Sequence, residues 1–311
     1  MSTSPTATPP RVAFLGLGHM GGPMAVNLIR AGVPVTGFDV VPAALDLARA
    51  NGITVADSPQ ETVRDAQVVI TMFPSGQHVK AAYTGADGAP GLLAAAPAGA
   101  TFLDCSTINI SEAQEVAQLA REAGFRAADA PVSGGVVGAQ AGTLAFMVGA
   151  PDEVFQEIHP LLDIMGARIV HCGDNGMGQA AKICNNMILG VSMVAVSEAF
   201  VLAEKLGLEY QAMYDVVSKA SGQCWALTTN CPVPGPVPTS PANNDYQPGF
   251  GGALMSKDLK LAVTAMEQTG VAARMGQLAA EIYNEFSDGE GARQDFSGII
   301  NTIRADSRGK K

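Results

Sequence analysis

The chain lacks most of the residues that would mark a metal centre, a secreted scaffold or a nucleic-acid binder. Its five cysteines stand apart at Cys105, Cys172, Cys184, Cys224 and Cys231, with no Cys-x-x-Cys pair, and its four histidines do not cluster. That spacing supports neither a zinc site nor a disulfide framework, so no metal is expected and the thiols read as reduced. Positive charge is scarce as well. Lys+Arg number 19 against 29 Asp+Glu, for a net charge of -10, which argues against a broad polyphosphate-gripping face and so against nucleic acid. No uninterrupted apolar run reaches the roughly 18 residues of a membrane helix. The opening MSTSPTATPP has no basic n-region, no apolar h-region and no transit-peptide arginines, so residues 1–10 read as a short disordered tail on a soluble, cytoplasmic protein. What is abundant is apolar material, at 47% of 311 residues, and glycine, at 35. The length suggests two domains, and glycines without a Gly-X-Y period are not collagen.

From Val12 onward, short β-branched or apolar runs alternate with alanine-rich stretches of helical period. The runs cover 12–15, 35–38, 68–72, 101–103, 126–128, 144–148 and 168–170. Such alternation predicts a mostly parallel sheet covered by helices on both faces, a doubly wound α/β domain over 11–173. The strand pattern then stops. Residues 179–205 are nearly continuous, apolar and free of proline, which predicts one long helix joining the halves. Further helices are expected over 211–219, 254–268 and 272–286, so 174–311 reads as an all-helical C-terminal domain for substrate binding and oligomerisation. The Pro/Gly/Asn-rich stretch 231–249, with Asn243, Asn244 and Tyr246, reads as a packed functional loop, because long structureless loops are uncommon in compact domains. The tail from about Arg304 reads as frayed.

Gly16-Leu17-Gly18-His19-Met20-Gly21 follows the first strand and opens a helical stretch, the context a Gly-x-Gly-x-x-Gly needs in order to bind a dinucleotide pyrophosphate on a helix N-terminus. Gly16 permits the turn, Gly18 admits the phosphates and Gly21 lets the helix pack on the strand, with His19 and Met20 inside the loop. The second run ends in Asp39, placed to accept hydrogen bonds from the adenosine ribose. Its charge would repel a 2′-phosphate and no arginine follows, which selects NAD over NADP; a plain turn cap before Pro42 is the other reading. Phe73 and Pro74 follow one strand and Thr107 another, where loops at the carboxyl ends of strands meet the ligand.

A nicotinamide site also needs a group that moves the alcohol proton, and Lys182 is the candidate. It stands near the start of the long apolar helix, with Asn186 four residues on and so one turn away on the same face. On spacing alone a surface lysine fits equally well.

These motifs together resemble the β-hydroxyacid dehydrogenase family. The resemblance rests on Phe14-Leu15-Gly16-Leu17-Gly18-His19-Met20-Gly21, on Asp129-Ala130-Pro131-Val132-Ser133-Gly134-Gly135, on the segment around Lys182 and Asn186, and on Phe250-Gly251 with Met255-Ser256-Lys257-Asp258-Leu259. It covers nearly the whole chain and implies a Rossmann-type N-terminal domain, a helical C-terminal domain and an oxidoreductase; the apolar, low-charge helical domain is itself expected to pair into a homodimer or homotetramer. The implied reaction is NAD-dependent oxidation of 3-hydroxyisobutyrate to methylmalonate semialdehyde, a step of valine degradation. Reduction of tartronate semialdehyde and non-catalytic NAD sensing are the alternatives. By the resemblance, Ser133, Gly134 and Gly135 hold the substrate carboxylate and Lys182 exchanges the hydroxyl proton. Asn186 orients Lys182 or the substrate, and Lys257 reaches the cofactor or substrate. Gly173, Gly176 and Gly178 are expected to loosen the junction ahead of the long helix, and Asp258 reads as structural.

Overall fold

The computed structural model describes residues 9–86 and 88–307, so the tail expected over 1–10 lies almost wholly outside the described residues. The chain divides into two compact units that meet between Lys182 and Ile183.

Among the described residues, nine strands form one sheet in the first unit: β1 (Val12–Leu15), β2 (Val35–Phe38), β3 (Thr54–Val55), β4 (Val68–Thr71), β5 (Thr101–Asp104), β6 (Arg126–Asp129), β7 (Val132–Ser133), β8 (Leu144–Gly149) and β9 (Gly166–Gly173). Their order is β3-β2-β1-β4-β5-β6-β8-β7, with β9 beside β8. All pairings from β3 to β6 are parallel, β8 runs antiparallel to β6 and β7, and β9 is parallel to β8. The expected mostly parallel sheet is therefore present. Alternation sets its two faces: Val12 and Phe14 of β1 enter one core while Ala13 and Leu15 enter the other, as in a strand covered on both sides. The strand order reverses direction between β1 and β4. That puts their carboxyl ends side by side at the switch point where open α/β sheets bind ligands. β3 and β7 were not anticipated, since two residues are too few to show a period.

The helix Met177–Leu206 has 30 residues, about 45 Å at 1.5 Å per residue. It is long and apolar enough, by length and composition, to cross a membrane. Half of its most apolar stretch is buried in the protein, as in a core helix.

In the second unit the helices Tyr210–Val217, Gly252–Thr269 and Arg274–Ser287 lie within two residues of expectation. Their core gathers Phe200, Met255, Leu259, Tyr283, Phe296 and Ile300. The expected fraying from Arg304 is corrected: the helix Ile299–Asp306 runs through it. Ile299 and Ile300 are fully buried, and the Arg304 guanidinium donates to Glu204 Oε1 through Nε and Nη2 at 2.9 and 2.6 Å. The stretch 231–249 packs as a structured loop. Cys231 and Val233 are buried, Ser240 Oγ donates to the Cys231 carbonyl, and Tyr246 Oη donates to the Pro232 carbonyl at 2.9 Å.

Candidate active site

The glycine loop has the geometry its sequence implies. Gly16 turns at φ +93° directly against the end of β4, and the helix Gly21–Arg30 follows. A Cβ on Gly21 would stand 1.9 Å from the Gly16 carbonyl oxygen, so only glycine allows helix and strand this close. Gly18 and His19 are exposed and Met20 is half-buried. The first turn of the helix carries no acidic residue, which leaves its positive end available to an anion. These features fit a dinucleotide pyrophosphate. At the end of β2, Asp39 does two things at once: Oδ2 accepts the N–H of Leu17 at 2.6 Å, inside the loop, and Oδ1 accepts that of Val41 at 2.8 Å. It both closes the turn before Pro42 and stands beside the loop.

The ends of β4 and β5 join the same edge. A Cβ on Gly16 would meet the Met72 carbonyl oxygen at 2.2 Å and the Phe73 ring at 3.3 Å, so Phe73 abuts the glycine turn. The Phe73 N–H donates to Ser106 Oγ at 2.8 Å, and that hydroxyl donates to Asp104 Oδ1 at 2.6 Å. Pro74 is exposed and Thr107 half-buried. The backbone on both sides of Thr107 is clasped by one buried amide: Gln179 Nε2 donates to the Ser106 carbonyl at 2.7 Å, and Gln179 Oε1 accepts the Ile108 N–H at 3.1 Å.

Ser133 closes β7, and Gly134 and Gly135 follow at φ +129° and +61°, conformations that cost any other residue dearly. Four residues before Ser133, Asp129 lies buried at the end of β6. Its Oδ1 accepts the Gly176 N–H at 2.6 Å and its Oδ2 accepts the Gln179 N–H at 3.0 Å. Burial pushes its carboxyl up to about 6 against the pull of those two bonds, and the Asp104 carboxylate adds to the rise. One turn after Gln179, Lys182 is only 6% exposed, which removes the surface-lysine reading. Of the three glycines expected to loosen this junction, Gly178 lies inside the helix and does the reverse. A Cβ on Gly178 would lie 2.3 Å from the Met147 carbonyl oxygen and 2.7 Å from Asp129 Oδ2, so glycine there lets the helix close onto the carboxylate.

In the second unit, Asn186 is 1% exposed. Its Nδ2 donates to Asp258 Oδ2 at 2.5 Å, and its Oδ1 accepts from Asn185 Nδ2 at 2.9 Å. The Lys257 ammonium lies 3.5 Å from Asp258 Oδ1 and its side chain is one-third exposed. The buried Asp258 thus ties Asn186 to Lys257. A cleft of about 510 Å³ lined by Val263, Met266, Val271, Arg274 and Leu278 holds none of the candidate residues.

Residues 11–173 match the family described as the NAD binding domain of 6-phosphogluconate dehydrogenase. Residues 176–303 match the one described as NAD-binding of NADP-dependent 3-hydroxyisobutyrate dehydrogenase. A probable 3-hydroxyisobutyrate dehydrogenase of Mycobacterium tuberculosis is 53% identical over 294 residues, 94% of this chain and 98% of the relative. The chain belongs to the 3-hydroxyisobutyrate dehydrogenase family. The solved structure of the Mycobacterium tuberculosis 3-hydroxyisobutyrate dehydrogenase with L-serine superposes with a TM-score of 0.90 at 53% identity, covering 95% of this chain and 99% of that one. An NAD-dependent L-serine dehydrogenase of Pseudomonas aeruginosa is 43% identical over 287 residues, 92% of this chain and 95% of the relative.

Within this family member, the residues that sequence reasoning passed over are Gln179 and Asp129, while Asp258, expected to be structural, bonds Asn186 and lies beside Lys257. Asp129 stood in a quoted motif with no role. A glutamine directly after two close glycines, Gly176 and Gly178, was the available signal for a tight polar junction.

Proposed function

We propose that the chain catalyses the reversible oxidation of 3-hydroxyisobutyrate to methylmalonate semialdehyde with NAD. The observation that carries the reading is a buried Lys182 on a helix whose first turn is bonded to the end of β6, four residues ahead of Ser133, and to the loop after β5 that holds Thr107. NAD, when bound, would supply the acceptor for the hydride that leaves C3 of the substrate. Gly16, Gly18, His19, Met20 and Gly21 would hold the pyrophosphate, Asp39 the ribose, and Phe73, Pro74 and Thr107 the nicotinamide side. Ser133 Oγ and the N–H groups of Gly134 and Gly135 would bind the carboxylate. Lys182 Nζ accepts the hydroxyl proton as C3 loses its hydride and returns it to the carbonyl oxygen in the reverse direction. Burial disfavours the charged form of a lysine, the direction a proton acceptor requires. Asn186 and Lys257, joined through Asp258, would orient the substrate or the cofactor.

Asp39 supports NAD over NADP, because a carboxylate at the end of β2 beside the glycine loop would repel a 2′-phosphate, and it argues against the tartronate semialdehyde alternative, in which an arginine is the more usual residue there. L-serine, itself a 3-hydroxy acid, is the second reading, favoured by the relatives that act on it or carry it. Initial rates with 3-hydroxyisobutyrate, L-serine and glycerate, each with NAD and with NADP, decide between them: a higher kcat/KM for L-serine overturns the substrate assignment. Lys182→Ala should abolish turnover while NADH still binds, and near-normal turnover would refute the base.

A role in valine degradation goes with this substrate, and the scattered, unpaired cysteines support a reducing, cytoplasmic location. Self-association is supported by Ile188, Leu202 and Leu206, large apolar side chains exposed on the long helix, and light scattering distinguishes monomer, dimer and tetramer.

A further inference from the structure

We infer that Asp129 and Gln179 form a positioning clamp that sets Lys182, Thr107 and Ser133 in one frame, with Asp129 governing the proton-transfer lysine and Gln179 the cofactor loop. The inference rests on the proposed role of Lys182.

Asp129 is 3% exposed and Gln179 is fully buried, so neither is free to choose water over its protein partners. The Asp129 carboxylate takes the N–H of Gly176, just ahead of the long helix, and the N–H of Gln179, in its first turn. Orphan N–H groups at a helix start need such acceptors, and here the acceptor comes from a strand end rather than from a local cap. A local cap would leave the helix free to slide or rotate against the sheet. An acceptor fixed to β6 does not, because moving the helix breaks both bonds. Lys182 follows Gln179 by three residues, nearly one turn, so its Nζ inherits the register those bonds set. Asp129 is also the first residue of the segment that ends in Ser133, Gly134 and Gly135. One carboxylate therefore fixes the distance between the proposed proton acceptor and the proposed carboxylate site.

Two further contacts tighten this joint. A Cβ at Gly149 would lie 2.5 Å from Asp129 Oδ1, and one at Gly178 2.7 Å from Oδ2, so the carboxylate is packed from two sides and cannot rotate away. Asn175 continues the seam, donating to the Ala127 carbonyl at 2.9 Å and accepting from Arg121 Nη1 at 2.7 Å.

Gln179 does a separate job with its side chain. Its amide donates on one side of Thr107 and accepts on the other, which fixes a three-residue turn at the end of β5. Because Asp129 bonds the backbone N–H of residue 179 and not its side chain, the two functions can be separated by mutation.

Asp129→Asn keeps the size but turns one of its two acceptors into a donor facing an N–H. Gln179→Leu keeps the Asp129 bonds and removes the clasp on residues 106–108. The experiment measures kcat, KM for the hydroxy acid, the NADH dissociation constant from cofactor fluorescence, and the urea midpoint, for both variants and for Lys182→Ala. Asp129→Asn should lower kcat by about 10–100-fold, the scale of a misplaced reacting group, while the NADH dissociation constant stays within about threefold. Gln179→Leu should instead weaken NADH about tenfold, the scale of one lost buried hydrogen-bonding pair, with the smaller effect on kcat. A folded Asp129→Asn protein with wild-type kcat, or a kcat loss that only follows the unfolded fraction in urea, overturns the clamp. Turnover surviving in Lys182→Ala overturns the base assignment and this inference with it, and that result is distinguishable because it appears in the lysine variant itself.

Discussion

Asp129 should give the fold a pH dependence of opposite sign to that of an ordinary ion-paired carboxylate. Its carboxyl is pushed from 3.8 to about 6, first by burial, with the nearby Asp104 adding to it, while the N–H groups of Gly176 and Gln179 pull the other way. Because the folded value exceeds the unfolded one, the folded state binds the proton more tightly between those two pH values. The stabilising contribution is therefore complete below pH 3.8, shrinks as pH rises, and is gone above about 6. The difference of 6 − 3.8 = 2.2 units corresponds to about 3 kcal/mol at 1.36 kcal/mol per unit. Every other titrating group also contributes to the raw stability curve, so the comparison is with Asp129→Asn, whose amide does not titrate. Urea unfolding of both proteins, followed by circular dichroism from pH 4 to pH 8, gives the stability of the wild type minus that of the variant. That difference should fall by about 2 kcal/mol between pH 4 and pH 7 and then level off. A difference that stays flat, or rises with pH, would show that the two N–H bonds and the positive end of a 30-residue helix outweigh the burial.

Gly21→Ala places a methyl group 1.9 Å from the Gly16 carbonyl oxygen and 2.9 Å from the Phe14 ring, so helix and strand must separate; the cost should be about 1–3 kcal/mol in urea unfolding, with NADH binding weakened in the folded fraction. Asp39→Arg replaces a carboxylate beside the loop with a cation, and the ratio of kcat/KM for NADP to that for NAD should rise at least tenfold, about 1.4 kcal/mol; because Leu17 also loses its acceptor, NAD itself should bind more weakly. Asn186→Asp puts a second carboxylate against the buried Asp258 and should destabilise the fold by about 3 kcal/mol or more. The exchange Asn186→Asp with Asp258→Asn restores a donor–acceptor pair and should recover part of that loss, whereas no recovery would show that the two positions are not coupled.

What the sequence made legible, and what it hid, follows from how far apart the interacting groups lie along the chain. The strands β1 and β2 were legible to the residue, because four-residue apolar or β-branched runs bounded by turns carry their own signal. The dinucleotide loop was legible for the same reason: strand, three glycines and helix are contiguous, and each glycine answers a local demand of the backbone. The two-residue strands β3 and β7 were not legible, since their pairing is dictated by neighbours already in the sheet rather than by any period of their own. The clamp was hidden more deeply. Asp129 bonds residues 47 and 50 positions away, and Asn186 bonds one 72 away. A buried polar side chain is costly until its partner is in place, but nothing local says which partner that is. The one trace left in the sequence is steric. Gly149 lies on the neighbouring strand β8 and Gly178 in the helix that the carboxylate bonds, and neither takes a positive φ, so neither is needed for its own backbone. A Cβ at either would meet both the Asp129 carboxylate and backbone atoms of the joint, for Gly178 the Met147 carbonyl oxygen first. Glycines before a helix can loosen a joint or let it close, and only the position of the approaching group decides which; here that group is a carboxylate from the strand leading into the Ser133 segment, and the joint is closed.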